Sequence, residues 1–219
     1  MLDAVPDLTA ALAVSDWRRR VHDLYRAVRA DADPRAAHAA WVAGRDRLFG
    51  QHPATPLLPE HRRELGGLSV APYDERYRFE AVVVQAGEGD GPDRFEARTG
   101  TDGVAPFERL GRVLLALPDG EVALDVWRLT TYGGGVFVPL RDGTCGDTTY
   151  GGGRYLLDTV KGADLGPGSR PKSLVVDLNF AYPPSCAYDP AWACPLAPRG
   201  NTTSVPVPVG ELHRGPWAH

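Results

Sequence analysis

The sequence predicts a mainly β protein of the α+β class: two N-terminal helices, then an antiparallel β meander of about eight strands, barrel-like, then a proline-rich C-terminal strap. Three observations carry this. Apolar residues recur at helical spacing through Phe49 and at period two beyond the loop that follows. The later runs are short and are joined by turn residues, with no helical pattern between them. Proline (20) and glycine (25) are abundant but interleaved with those runs, which reads as many turns in a folded chain.

The first helix follows from Trp17, Val21, Leu24, Tyr25 and Val28 on one face, with Ser15 or Asp16 as its cap. Arg18, Arg19 and Arg20 then form a solvated face. Asp33-Pro34 reads as a cap followed by proline at the first helical position, starting a second helix that buries Ala37, Trp41, Leu48 and Phe49. His22 and His38 are expected to face solvent. Residues 1–50 are the helical segment and 51–219 the β-rich part of one compact domain. Strands are expected over 78–86, 94–99, 112–117, 121–129, 136–140, 154–158 and 173–179, with turns at 87–92 and 100–103. Pro118-Asp119-Gly120 marks a tight hairpin. The stretch 182–198 is expected to wrap the sheet as an ordered loop.

Composition narrows the function classes. A net charge of −4 argues against nucleic acid as the main partner. The first twenty residues carry Asp3, Asp7 and Asp16 and no apolar run longer than Ala10–Val14, so no export signal is visible. No run is long enough to span a membrane. Three cysteines, Cys145, Cys186 and Cys194, without an export signal favour reduced thiols and a cytoplasmic location.

Unusual chemistry concentrates in one region. Thr131-Tyr-Gly-Gly-Gly135 recurs as Thr149-Tyr-Gly-Gly-Gly153, with Arg141, Asp142 and Arg154 around the second copy. Glycines let another group approach the backbone closely. Strand patterns follow both triplets, so they are not phosphate loops, which need a helix N-terminus after the glycines. An aspartate between two arginines is held ionised; it either orients a substrate or closes an internal ion-pair network.

Arg141-Asp-Gly-Thr-Cys-Gly-Asp-Thr-Thr-Tyr-Gly-Gly-Gly-Arg-Tyr-Leu156 resembles the signature of a family of bacterial and archaeal proteins catalogued as domain of unknown function 1684. So do Asp177-Leu-Asn-Phe-Ala-Tyr182, Cys186-Ala-Tyr-Asp-Pro190, Cys194-Pro-Leu196 and Asn201, with His52-Pro53 and Pro72-Tyr-Asp74 upstream. The likeness spans roughly Trp41 to Glu211 and implies a short-form member. Thr148 stands where relatives often carry glutamate before Thr-Tyr-Gly, and Cys145 where they carry serine.

The resulting expectation is a protein acting on a small molecule, with one pocket around this signature. Asp142, His52 and Arg154 are the catalytic candidates. Arg141, Thr144, Tyr150, Asn179 and Tyr188 are the ligand-binding candidates. Cofactor-independent acid/base chemistry, as in a hydrolase or isomerase, is favoured over a non-catalytic binder, and both over an interaction scaffold. No metal or cofactor is expected: the spacing of Cys186 and Cys194 is not that of a zinc knuckle.

Overall fold

The computed structural model describes residues 7–85, 87, 92–99, 103–215 and 217. Helix α1 (Leu8–Ala30) starts more than two turns earlier than its apolar face suggests. Asp7 is its cap, accepting from the Thr9 amide at 2.9 Å, and Ser15 and Asp16 lie inside the helix. Helix α2 (Pro34–Gln51) begins as expected, with Asp33 accepting from the Arg35 amide. The two helices pack against each other, and α3 (Pro59–Arg63) is a single short turn after the loop.

Seven strands follow among the described residues: β1 (Arg78–Val82), β2 (Arg94–Arg98), β3 (Val104–Leu117), β4 (Gly120–Leu129), β5 (Val136–Leu140), β6 (Arg154–Asp158) and β7 (Ser173–Asp177). Strands β2 to β6 form an antiparallel meander in sequence order, curled into a half-barrel, and β1 pairs with β7 in a second antiparallel sheet. The class is therefore the expected one. Strand β3 is much longer than its apolar pattern because a bulge at Gly111, φ +154°, interrupts the alternation between two paired halves. There the backbone passes so close to the Val84 carbonyl that a side chain has no room. Strand β1 is shorter than expected, and most of the turns at 87–92 and 100–103 lies outside the described residues.

One core joins helices and sheets. Tyr25 and Val28 of α1 and Ala37 and Trp41 of α2 cluster with Val113, Leu115, Leu124, Val126, Leu140, Leu156 and Val176 of the strands. The strap 182–198 contains only one short helical turn, Ser185–Ala187. Asn201, completely buried, ties it in: its amide nitrogen donates to the Asp125 and Pro139 carbonyls at 2.8 and 2.9 Å, and its oxygen accepts from Trp127 Nε1 at 2.7 Å. His38 is buried, not solvent-facing. Its Nε2 meets the Asn179 carbonyl at 3.0 Å, and its ring stacks on Trp41.

Candidate functional site

Most of the residues singled out from the sequence fall into four environments. The first is the turn holding the second Thr-Tyr-Gly-Gly-Gly. Arg154 opens β6 and points inward, where its Nη2 donates to Asp142 Oδ2 at 2.8 Å and to the Val207 carbonyl at 2.8 Å. Its Nη1 donates to the carbonyls of Val209 and, at 3.4 Å, Glu211. Asp142 Oδ1 accepts from the Thr144 amide and hydroxyl and from the Val207 amide, at 2.9, 2.5 and 3.0 Å. Thr144 Oγ1 also meets Thr149 Oγ1 at 2.9 Å. Burial would push the Asp142 carboxyl up, but the Arg154 charge and the Thr144 hydrogen bonds outweigh it and hold it below the usual range. Both side chains of the pair are 0% exposed, so they face no solvent-filled pocket. Arg141 does not join them. It is exposed on the outside of the turn, its Nε donating to the Gly151 carbonyl at 3.2 Å. This cluster pins residues 207–211, beyond the strap, to the Gly-rich turn.

The second environment surrounds Asn179, also fully buried. Its side chain brackets Asp74, accepting from the Asp74 amide and donating to the Asp74 carbonyl, each at 2.8 Å, and it donates to Asp177 Oδ1. The third contains Tyr188, whose hydroxyl donates to Glu211. Glu211 in turn accepts from Arg45 Nη2 at 2.5 Å. Arg45 lies between the rings of Trp41, Phe49 and Tyr182, its Cζ about 5 Å from each centroid. Sequence reasoning missed Arg45 and Glu211. The available signal was a guanidinium on the same helical face as Trp41, Leu48 and Phe49.

The fourth environment is a cleft of about 690 Å³ between α1 and α2. Leu24, Ala27 and Leu48 give it apolar walls, and Asp16, Arg20, Arg47, Gln51 and His52 its polar ones. His52 caps the C-terminus of α2, and its ring is buried. Its Nδ1 accepts from the Ala54 amide at 3.1 Å, which leaves Nε2–H to donate to Asp16 Oδ2 at 3.1 Å. Asp16 also accepts from Arg19 and Arg20 at 2.7 and 2.6 Å. The hydrogen bonds from His52 and Arg20 hold the Asp16 carboxyl below its ordinary range. Arg47 has no carboxylate partner among the described residues.

Tyr150 belongs to none of the four. Its ring lies against His213, and its hydroxyl is 3.7 Å from Cys186 Sγ. Cys145, Cys186 and Cys194 are free and half-buried. His52 is not assembled with the cysteines: among the described residues no group of three or more histidine, cysteine or acidic side chains is disposed to hold a metal ion. No described helix is long and apolar enough to cross a membrane.

The chain belongs to a family described as protein of unknown function (DUF1684), whose model matches residues 63–212. No curated protein matches it. Among solved structures, the solution NMR structure of an uncharacterized protein of Haloarcula marismortui is similar at 32% identity with a TM-score of 0.56, covering 80% of this chain and 91% of that one. The buried pin, the Asn179 bracket and Tyr150 lie inside the family match, and the α1–α2 cleft lies before it.

Proposed function

We propose that this family member binds a small molecule without transforming it, and that the ligand is a compact organic carboxylate held in the α1–α2 cleft. The observation that carries the reading is Arg47, a guanidinium with no carboxylate partner among the described residues, on the wall of a cleft of about 690 Å³. That volume lies within the usual range for small-molecule sites, about 300–1,000 Å³. A guanidinium fork takes a carboxylate through two parallel hydrogen bonds, and the Gln51 amide can serve a second polar group. Leu24, Ala27 and Leu48 suit the ligand's hydrocarbon part.

Binding is favoured over acid/base catalysis by what the polar groups already do. Both His52 nitrogens are engaged by the protein, and Asp16 is shared by His52, Arg19 and Arg20. Asp142 and Arg154 are sealed inside. A general base needs a free lone pair within reach of the substrate; His52 has none left and Asp142 is sealed from solvent, while Asp16, a third exposed, already accepts from three donors.

Thermal-shift measurements against paired carboxylates and their neutral amides test the proposal. Carboxylates should raise the melting temperature in a saturable way, as any ligand of the folded state does. Arg47→Ala should leave the free protein's melting temperature nearly unchanged and abolish the shift. A panel without any carboxylate response, or a response that survives Arg47→Ala, overturns it.

A further inference from the structure

Two contacts fix how the walls of the cleft face each other. His52, at the end of α2, bonds to Asp16 of α1 at 3.1 Å. Further along, Leu24 of α1 lies on Gly44 of α2, so close that a Cβ on Gly44 would be 2.5 Å from Leu24 Cδ1. The helices therefore run antiparallel. Arg20, midway between Asp16 and Leu24, stands level with Leu48, midway between Gly44 and His52, and Arg47 is the neighbour of Leu48. That level is about one helical turn, roughly 6 Å, from either contact. Two guanidinium groups thus share one height of the cleft, one on each wall.

Neither fork is fully engaged. Arg20 uses only Nε, donating to Asp16 Oδ2 at 2.6 Å, and its Nη1 and Nη2 make no hydrogen bond among the described residues. Arg47 makes no hydrogen bond or ion pair among them. Both side chains lie at the exposed rim. Asp16 is the single acidic side chain in the lining, and Arg19 and His52 also donate to it. Positive charge therefore exceeds negative along this height of the cleft, with two like charges facing each other across it.

We propose that the ligand of this cleft is a short dicarboxylate that bridges the two helices, with one carboxylate on Arg47 of α2 and the other on Arg20 of α1. This rests on the carboxylate reading of the cleft and adds a second anchor to it. Each planar fork can take a carboxylate through two parallel N–H···O bonds. The Asp16 bond holds Arg20 by its Nε side and leaves the Nη edge for the ligand. The other polar groups of the lining do not compete for a second carboxylate: both His52 nitrogens are taken, and the neutral Gln51 amide suits a hydroxyl or keto group. Leu24 and Leu48 meet the methylene groups between the two charges. Packed helix axes lie about 8–10 Å apart, so carboxylates on facing walls need a chain between them. Inorganic phosphate has the charge of such a ligand and not its span.

Titration calorimetry on the full chain tests the bridge, comparing succinate, glutarate and adipate with their half-amides, which keep the length and lose one charge. At least one diacid should bind about tenfold or more tightly than its half-amide. Arg20→Gln should erase that advantage and leave half-amide binding within about twofold of wild type. Arg20→Lys, which keeps the charge and loses the fork, should hold it at an intermediate level. Arg47→Ala should abolish binding of both members of a pair. Inorganic phosphate should compete no better than a half-amide. Equal affinity for diacid and half-amide, an advantage that survives Arg20→Gln, or phosphate that displaces the diacid at equal concentration overturns the bridge and leaves the carboxylate reading standing. Binding of none of these acids overturns both. Arg20 and Arg47 are exposed, so far-UV spectra and melting of the free variants should match wild type and separate lost binding from lost folding.

Discussion

The two copies of Thr-Tyr-Gly-Gly-Gly sit at opposite ends of the β5–β6 hairpin and live in opposite surroundings. The first, Thr131–Gly135, joins β4 to β5 in the open. Tyr132 is fully exposed, and the turn is held by backbone bonds: Gly134 N–H to the Thr131 carbonyl at 3.0 Å, Leu129 N–H to the Gly135 carbonyl at 3.1 Å. The second, Thr149–Gly153, leads into β6 where Leu140 pairs with Arg154. Thr149 is buried and bonded to Thr144, and Gly153 packs against the Leu140 carbonyl.

The acids at the two ends contrast in the same way. Asp142, beside the second copy, is held ionised by Arg154 and Thr144 against the effect of burial. Asp158, the last residue of β6, pairs with Phe137 near the first copy. Burial pushes its carboxyl up, and Lys161, 3.9 Å away and half exposed, offsets this only in part. A pentapeptide thus sets a turn's backbone, while the segment that crosses it decides whether the turn is framework or surface. At the second copy that segment is Val207–Glu211.

The largest expected effect follows from the buried pin. Asp142→Asn or Arg154→Ala leaves one charge of a sealed pair uncompensated, at a cost of about 3–5 kcal/mol. For a chain of this size that lowers the melting temperature by about 6–20 °C. The acid limb should change too. Asp142 has a depressed folded pKa, so its stabilisation is complete above the ordinary aspartate value and is lost as pH falls through the folded one. Asp142→Asn should flatten that limb. Melting within a degree of wild type would break the contrast between the two turns.

Next in size is a pair of glycine substitutions. Gly133 has φ +101° with open space around it, so Gly133→Ala should cost only the left-handed conformation, about 1–2 kcal/mol. Gly153 has φ +91°, and its new Cβ would lie 2.6 Å from the Leu140 carbonyl oxygen, which cannot move without moving β5. Chemical denaturation should show the larger loss for Gly153→Ala, and equal losses would contradict the packing argument.

A smaller effect of opposite sign is expected at the other end of β6. Asp158 has a raised folded pKa, so its destabilisation sets in as pH rises through the ordinary aspartate value and is complete above the folded one. Asp158→Asn should therefore melt above wild type at neutral pH and converge with it in acid. A variant less stable than wild type at neutral pH would show that the carboxylate is compensated after all. The smallest effect is at Tyr132: with its ring fully in solvent, Tyr132→Ala should stay within about 0.5 kcal/mol of wild type by denaturant midpoint.

Much of this fold was written in local pattern. The helical face of Trp17 to Val28, the Asp33-Pro34 start and the runs 136–140 and 154–158 all appear where their periodicity and caps put them. Those signals are short-range: caps, side-chain period and turn residues act within a few positions. Strand β3 was half legible, because Gly111 interrupts its alternation and only pairing with β2 and β4 shows that the strand continues.

The pairing of Asp142 with Arg154, legible as a shared charge cluster, became a sealed pin only through carbonyls more than fifty residues away. His38 looked polar on its helix and is interior because Asn179 and Phe180 pack over it. Asp16 looked like a cap and is the partner of His52. The sequence by itself determined the kind of most segments, helix, strand or turn, though not all their bounds, because those preferences are settled by neighbours along the chain. Tertiary structure alone decided which polar groups are buried and which stay open to solvent, because solvation and charge pairing depend on what lies across space.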